Sequence, residues 1–196
     1  SGSRLNFAEN LLRYRDDHVA LVFKGEGQEP RKVTYADLYK EVARVAAALK
    51  ELGIQPGDRV VGYMPNMPET IVAMLAATSM GATWSSCSPD FGIKGVLDRF
   101  GQIRPRVLFT ADGYFFKGKE LDSLERLESV LEEIPSVEKV VVVPYTQSEP
   151  DISRVRNGIM YSDFKKEDQD QAIDFAQLPF DHPLYIMYSS GTTGLP

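Results

Sequence analysis

The sequence has 196 residues, of which 43% are hydrophobic and 26% are charged, and both values are ordinary for a globular domain. The formal net charge of −6 lacks the basic balance that is typical of nucleic-acid-binding proteins, and a single cysteine, Cys87, excludes a disulfide within the chain. Because the sequence shows neither a long apolar run nor a signal-peptide pattern, we expect a cytoplasmic protein whose partners include neither nucleic acid nor a membrane.

The first thirty-four residues predict a short helix and two strands. Residues 1–3 (Ser-Gly-Ser) are interpreted as a cloning remnant, so that residues 4–196 form part of one domain. Residues 6–14 predict the helix, and the β-prone runs 19–23 and 31–34 predict strands that are joined by a glycine-containing turn.

A long amphipathic helix is predicted next. Thr34 and Asp37 have the spacing of a capping box, with Asp in place of the usual Glu or Gln. Gly53 and the turn at 56–58 mark the C-terminal end of the helix. Apolar residues recur at helical spacing between these two ends: Leu38, Val42, Val45, Ala46 and Leu49.

From residue 59 onward, predicted strands alternate with predicted helices. The strands are expected at 59–63, 82–86, 107–111, 137–143 and 184–188, the helices at 69–79, 93–102 and 121–133, and an exposed connection at 145–157. This alternation predicts an α/β fold with a doubly wound, mainly parallel sheet that is flanked by helices. Such sheets bind their ligands beyond the carboxyl ends of the strands.

The last predicted strand leads directly into a segment that is rich in glycine and hydroxyl side chains. Glycines let the backbone turn sharply near a ligand, hydroxyls donate hydrogen bonds, and successive backbone N–H groups can bind an anion. The segment fits neither the Walker nor the dinucleotide-binding pattern, and a polar surface turn or flexible tail is the alternative. We predict contacts with phosphate groups at Ser189, Ser190, Gly191, Thr192, Thr193 and Gly194.

This motif, from Tyr188 to Pro196, resembles the phosphate-binding signature of the adenylate-forming superfamily, which includes acyl-CoA synthetases, peptide-synthetase adenylation domains and luciferases. Segments 33–38, 56–60, 64–69 and 80–82 resemble further signatures of this superfamily in the same order. The resemblance therefore covers nearly the whole chain. It implies that residues 4–196 are part of the large N-terminal domain of an adenylate-forming enzyme and end in the phosphate-binding loop.

Two further segments resemble one branch of the superfamily. Residues 5–12 are similar to the entry segment of short-chain acyl-CoA synthetases. Ser88 to Gly92 departs from the Phe-Gly-Gly sequence of the acetate-activating enzymes, and with residues 96–103 it looks like the acetoacetate-activating branch. The acetate- and propionate-activating branch is the alternative.

The resemblance implies an AMP-forming acid–thiol ligase that uses ATP, Mg²⁺ and coenzyme A. A short-chain carboxylate, acetoacetate in this branch, attacks the α-phosphate of ATP, and the CoA thiol then displaces AMP from the acyl-adenylate. The implied partners are small-molecule substrates and the remainder of a parent chain. The resemblance places no catalytic residue and no metal ligand within these 196 residues, so the chain alone is expected to be inactive.

The resemblance also implies that Ser88, Pro89, Asp90 and Lys119 contact coenzyme A. The residues themselves favour other roles for two of them, because Asp90 could cap the helix at 93 and Lys119 could lie in a solvated loop. A phosphate-binding or interaction domain without ligase activity is the alternative for the whole chain. Trp84 and Cys87 are expected in the core.

Overall fold

The computed structural model describes residues 2–166 and 172–189. Its helices and strands, in chain order, are β1 (Arg4–Leu5), α1 (Phe7–Leu11), β2 (Val19–Phe23), β3 (Arg31–Thr34), α2 (Tyr35–Glu51), β4 (Arg59–Tyr63), α3 (Pro68–Ser79), β5 (Thr83–Cys87), α4 (Ile93–Ile103), β6 (Val107–Ala111), β7 (Gly113–Phe116), β8 (Lys119–Asp122), α5 (Leu124–Glu133), β9 (Lys139–Val143), β10 (Gly158–Met160), α6 (Tyr161–Phe164), β11 (Leu178–Pro179) and β12 (Tyr185–Ile186).

The central sheet has six strands in the order β10-β9-β6-β4-β5-β12. Every neighbouring pair in this sheet is parallel. Three small antiparallel pairs lie outside it, namely β2 with β3, β7 with β8 and β1 with β11. The predicted parallel, doubly wound α/β fold is therefore confirmed.

Helices pack on both faces of the sheet and produce two hydrophobic cores. Val60 of β4 and Phe109 of β6 pack with α2 and α3. Val61 and Leu108, the neighbours of those residues in the same strands, pack with α4 and α5. This alternation follows from the two-residue period of a strand, and it explains why β6 is buried along its whole length.

Helix α2 begins as its sequence predicts. Thr34 Oγ1 accepts a hydrogen bond from the backbone N–H of Asp37 at 3.1 Å and donates to Asp37 Oδ2 at 2.8 Å. All five residues of the predicted apolar stripe are buried. Gly53 follows the helix with a φ of 73°, the left-handed conformation that glycine adopts without strain. Thr34 as the N-cap and the amphipathic pattern are both confirmed.

Several predicted boundaries are wrong. Helix α5 begins at Leu124 instead of 121, because the preceding residues form the β7–β8 hairpin. The carboxylate of Asp122 ends that hairpin and accepts a hydrogen bond from the N–H of Leu124 at 2.7 Å. Helix α1 is shorter than predicted, as are the strands β9 and β12.

Within the part of the chain that the structure describes, no helix combines the length and the apolar character that crossing a bilayer requires.

Candidate active site

The carboxyl ends of the parallel strands define one edge of the sheet. The chain leaves β4 toward α3 on one face and leaves β5 toward α4 on the other face. Because the two connections diverge, the edge opens between these neighbouring strands, which is where doubly wound proteins bind ligands. The turn 88–92 follows β5, and Ser189 follows the adjacent strand β12 at the same edge. Two predicted site segments are thus brought together.

The strand before the predicted phosphate-binding loop is fixed to β5. Tyr185 pairs with Trp84, and Ile186 pairs with Ser85. The hydroxyl of Ser85 also donates to the carbonyl oxygen of Ile186 at 2.9 Å. Ser189, the first predicted phosphate contact, is exposed just beyond this pairing. The other five predicted contacts, Ser190, Gly191, Thr192, Thr193 and Gly194, lie outside the described residues.

A single arginine contacts both the turn after β5 and the residue that precedes Ser189. The guanidinium carbon of Arg99, on α4, lies 4.4 Å from the ring centre of Phe91 and 5.6 Å from that of Tyr188. The Tyr188 hydroxyl donates to the carbonyl oxygen of Arg99 at 3.1 Å, and burial raises the pKa of this tyrosine. The Arg99 side chain therefore lies between the two predicted binding segments, with the geometry of a cation–π interaction to Phe91.

The turn 88–92 is held by backbone hydrogen bonds and by a buried tyrosine. The N–H of Phe91 donates to the carbonyl oxygen of Ser88 at 3.1 Å. The hydroxyl of Tyr63 lies 3.0 Å from the carbonyl oxygen of Pro89 and 2.8 Å from that of Phe91. Ser88 and Asp90 are exposed, and Pro89 is buried. The turn therefore presents two polar side chains to solvent on a fixed backbone.

The expectation that Asp90 caps helix α4 is wrong. The N-cap residue is Gly92, and no side-chain hydrogen bond caps the helix. Asp90 lies inside the turn that the hydrogen bond between Phe91 and Ser88 closes, two residues before the cap position. The Asp90 carboxylate is consequently left at the surface.

Lys119 lies apart from this turn, on strand β8 of the neighbouring hairpin. It pairs with Phe116 and is exposed, as a solvated position requires. The hairpin turns through Lys117 and Gly118, both with positive φ, and the Gly118 N–H donates to the carboxylate of Glu26. The predicted CoA contacts therefore come from two different segments.

Arg126 of α5 connects the hairpin with the turn. Its guanidinium Nη1 lies 3.5 Å from the carbonyl oxygen of Pro89. Hydrogen bonds with the hydroxyls of Tyr114, on the hairpin, and Tyr63, on β4, raise the pKa of Arg126. No sequence motif includes Arg126, and Arg99 lies in the segment 96–103 of the branch resemblance without a predicted role. For Tyr63, the only signal in the sequence is its position at the end of a predicted strand.

Trp84 and Cys87 belong to the core, as expected. Their exposed fractions are 5% and 2%. Burial raises the pKa of the Cys87 thiol to about 12, so that the reactive thiolate is scarce at neutral pH. This cysteine is a packing residue.

No group of three or more His, Cys, Asp or Glu side chains among the described residues could hold a metal ion.

The family described as "AMP-binding enzyme" matches residues 7–196 of this chain. The acetoacetyl-CoA synthetase of Danio rerio is 51% identical to this chain over an alignment 203 residues long, which covers 100% of this chain and 30% of that protein. The acetoacetyl-coenzyme A synthetase of Rhizobium meliloti is 47% identical over 99% of this chain and 30% of its own length.

Among solved structures, the acetoacetyl-CoA synthetase from Streptomyces lividans superposes with a TM-score of 0.90 and 44% identity. The superposition covers 98% of this chain and 29% of that protein. The chain thus spans about 30% of the length of the curated relatives. Since the family match extends over nearly all its residues, the chain belongs to the AMP-binding enzymes.

Proposed function

We propose that this chain is part of an AMP-forming acid–thiol ligase that activates acetoacetate as an acyl-adenylate and transfers it to coenzyme A. The observation that carries the proposal is the meeting of two segments at the carboxyl edge of the sheet. The segment entering the predicted phosphate-binding loop and the turn 88–92 contact the same arginine, Arg99. The similarity to acetoacetyl-CoA synthetases along the whole chain supports the choice of acid.

The ATP phosphates are assigned to the loop after β12. Ser189, Ser190, Gly191, Thr192, Thr193 and Gly194 would surround the β- and γ-phosphates with hydroxyl and backbone N–H donors. Such donors stabilise charge that develops when the α-phosphate is attacked. Mg²⁺ would neutralise the phosphates as it does for ATP in general.

Coenzyme A is assigned to the exposed surface near the turn and the hairpin. Ser88, Pro89 and Asp90 supply the turn, and Lys119 supplies a cationic side chain on β8. An exposed ammonium group suits a phosphate group of coenzyme A. The further partners are small-molecule substrates and the rest of the parent chain, and the proposed location is the cytoplasm.

The first experiment is ATP–pyrophosphate exchange by the full-length parent enzyme with acetate, propionate, butyrate and acetoacetate. We expect exchange that strongly prefers acetoacetate. Exchange with acetate or propionate instead would support a ligase of the acetate- and propionate-activating branch. Absence of exchange with every acid would contradict the proposal and favour a phosphate-binding domain without ligase activity.

The assigned loop has its own test in the same enzyme. Thr193→Val removes a hydroxyl and keeps the side-chain volume, so we expect a slower exchange rate with little change in the midpoint of thermal unfolding. An unchanged exchange rate would contradict the assignment of the loop. By itself, the 196-residue chain is expected to bind ATP weakly or not at all, which calorimetry can measure.

A further inference from the structure

We propose that Tyr63 and Arg126 are positioning residues for coenzyme A, because they hold the turn 88–92 and the β7–β8 hairpin in one fixed relation. The proposal rests on the function proposed above, and it extends that function to two residues that belong to neither binding segment. Neither side chain needs to contact the ligand.

Tyr63 fixes the backbone of the turn from below. Its side chain is 1% exposed, and its hydroxyl reaches two carbonyl oxygens of the turn, Pro89 at 3.0 Å and Phe91 at 2.8 Å. Both carbonyls belong to residues flanking Asp90, so the hydroxyl determines the direction in which this part of the turn faces. A buried hydroxyl with this partnership is costly to remove.

Arg126 extends the same connection to the second segment. Its guanidinium Nη1 lies 3.5 Å from the Pro89 carbonyl oxygen, and the neighbouring hydroxyls of Tyr114 and Tyr63 raise the pKa of Arg126. Tyr114 is a buried residue of β7, whose partner strand β8 carries Lys119. One cation therefore joins β4, the turn and the hairpin, and a planar guanidinium does this better than an ammonium group.

The phosphate-binding segment is held by different residues. Strand β12 pairs with β5, and Tyr188 contacts Arg99. Loss of the Tyr63 hydroxyl should therefore affect the binding of coenzyme A much more than that of ATP. A general loss of stability would show no such difference between the two substrates.

The test uses Tyr63→Phe, Arg126→Met and Arg126→Lys in the full-length enzyme, with KM measured for both coenzyme A and ATP. We expect Tyr63→Phe to raise the KM for coenzyme A about three- to tenfold, as the loss of one hydrogen bond would. In the same variant, the KM for ATP should change by less than about twofold. Arg126→Met should behave alike, and Arg126→Lys should recover part of the loss.

Two matched controls isolate the contacts from the chemistry of the substitutions. Tyr161→Phe removes another buried tyrosine hydroxyl, which donates to Glu41 in the other core. Arg154→Met removes an arginine that forms a surface ion pair with Glu128. Both controls should keep the wild-type KM for coenzyme A.

Two results with the variants would overturn the inference. An unchanged KM for coenzyme A in both Tyr63→Phe and Arg126→Met would do so, and so would equal increases in the two KM values. If Tyr63→Phe fails to fold, Arg126→Met decides, because Arg126 is only half-buried. If the wild-type enzyme shows no ATP–pyrophosphate exchange, both the proposed function and this inference fail. If the wild-type enzyme is active and the variants are unaffected, only this inference fails.

Discussion

At the scale of single residues, Gly62 of β4 packs directly against the indole ring of Trp84 of β5. A Cβ atom on Gly62 would lie 2.7 Å from Cζ2 and 2.9 Å from Cη2 of the indole ring. Since the ring is rigid and 5% exposed, it has little room to move. Glycine is therefore required at this position by a neighbouring side chain.

Gly62→Ala should consequently destabilise the chain by about 1–3 kcal/mol, the usual cost of overpacking. The matched control is Gly101→Ala in helix α4, where a Cβ would meet nothing within 4 Å. That variant should gain up to about 1 kcal/mol, because alanine favours a helix. Urea unfolding measures both changes, and equal effects would contradict the packing argument.

Asp112 is a buried carboxylate that organises the connection after β9. It is 3% exposed and accepts hydrogen bonds from the N–H groups of Tyr145, Thr146 and Gln147. The Thr146 hydroxyl also donates to it at 2.7 Å. The loop at 145–147 is thus ordered by one side chain at the carboxyl end of β6.

Asp112→Asn replaces one acceptor oxygen with an NH₂ group. This group would face the N–H and O–H groups that donate to the carboxylate in the native structure. We expect a loss of about 1.5–3 kcal/mol in the free energy of unfolding, the range for hydrogen bonds to a charged group. Asp151→Asn is the control, since Asp151 is exposed and accepts from the N–H of Ser153. A similar loss in both variants would argue against a special role for Asp112.

The sequence predicted side chains whose role depends on local spacing and missed those that act at long range. The capping pair Thr34 and Asp37 is three residues apart and was found from the sequence. Tyr63 reaches carbonyl groups 26 and 28 residues away, and Arg126 reaches one 37 residues away. No local pattern encodes such contacts, because the sheet topology creates them.

At the scale of helices and strands, α2 and α6 are joined by the half-buried carboxylate of Glu41. Tyr161 donates to it at 3.1 Å, Lys165 lies 3.3 Å away, and Arg44 donates at 2.8 Å. Burial alone would raise the pKa of Glu41, but the hydrogen bonds from Arg44, Lys165 and Tyr161 and the Lys165 charge outweigh it and hold the pKa below 4.5. The folded state therefore favours the ionised form.

This shift predicts the direction of a pH effect. The lowered pKa stabilises the fold at pH values above 4.5, and the contribution is lost as the pH falls through the folded-state pKa. Urea unfolding from about pH 6 down to about pH 3 should show a smaller loss of stability in Glu41→Gln than in the wild type. Glu51→Gln, whose exposed carboxylate pairs with Lys166, should follow the wild type.

Among the elements, the sequence predicted those with a strong period and missed short ones. Strands β2, β3, β4 and β6 have the predicted bounds, and α2 was found with its cap. The β7–β8 hairpin was missed because Leu121 of its second strand has helical spacing to Leu124 and Leu127, so that this strand was assigned to the following helix. Apolar spacing cannot separate a short strand from the first turn of a helix.

At the scale of the whole molecule, one face of the sheet and its β12 edge carry different parts of the proposed site. The turn 88–92 is held from the face that contains Tyr63 and α5. Strand β12 extends the sheet beyond β5 and leads to the predicted phosphate-binding loop. Composition and alternation were enough to predict this architecture, whereas the site could be predicted only as segments.

The pairing of β12 has a consequence for the chain in solution. In the part of the chain that the structure describes, β12 pairs with β5 alone and forms one edge of the central sheet. Met187, directly after the strand, is 84% exposed, and Phe180 is 82% exposed. Even a short sheet edge offers backbone N–H and C=O groups for pairing between molecules, and exposed apolar neighbours favour that pairing.

We therefore expect the 196-residue chain to self-associate as its concentration rises, as light scattering would show. Met187→Lys places a charge beside the edge and should reduce this association, whereas Lys94→Met, on a helix distant in sequence, should not. Association that is equal in wild type and Met187→Lys would point to another surface. The strand that leads to the predicted phosphate-binding loop thus also sets the concentration at which the isolated chain remains dispersed.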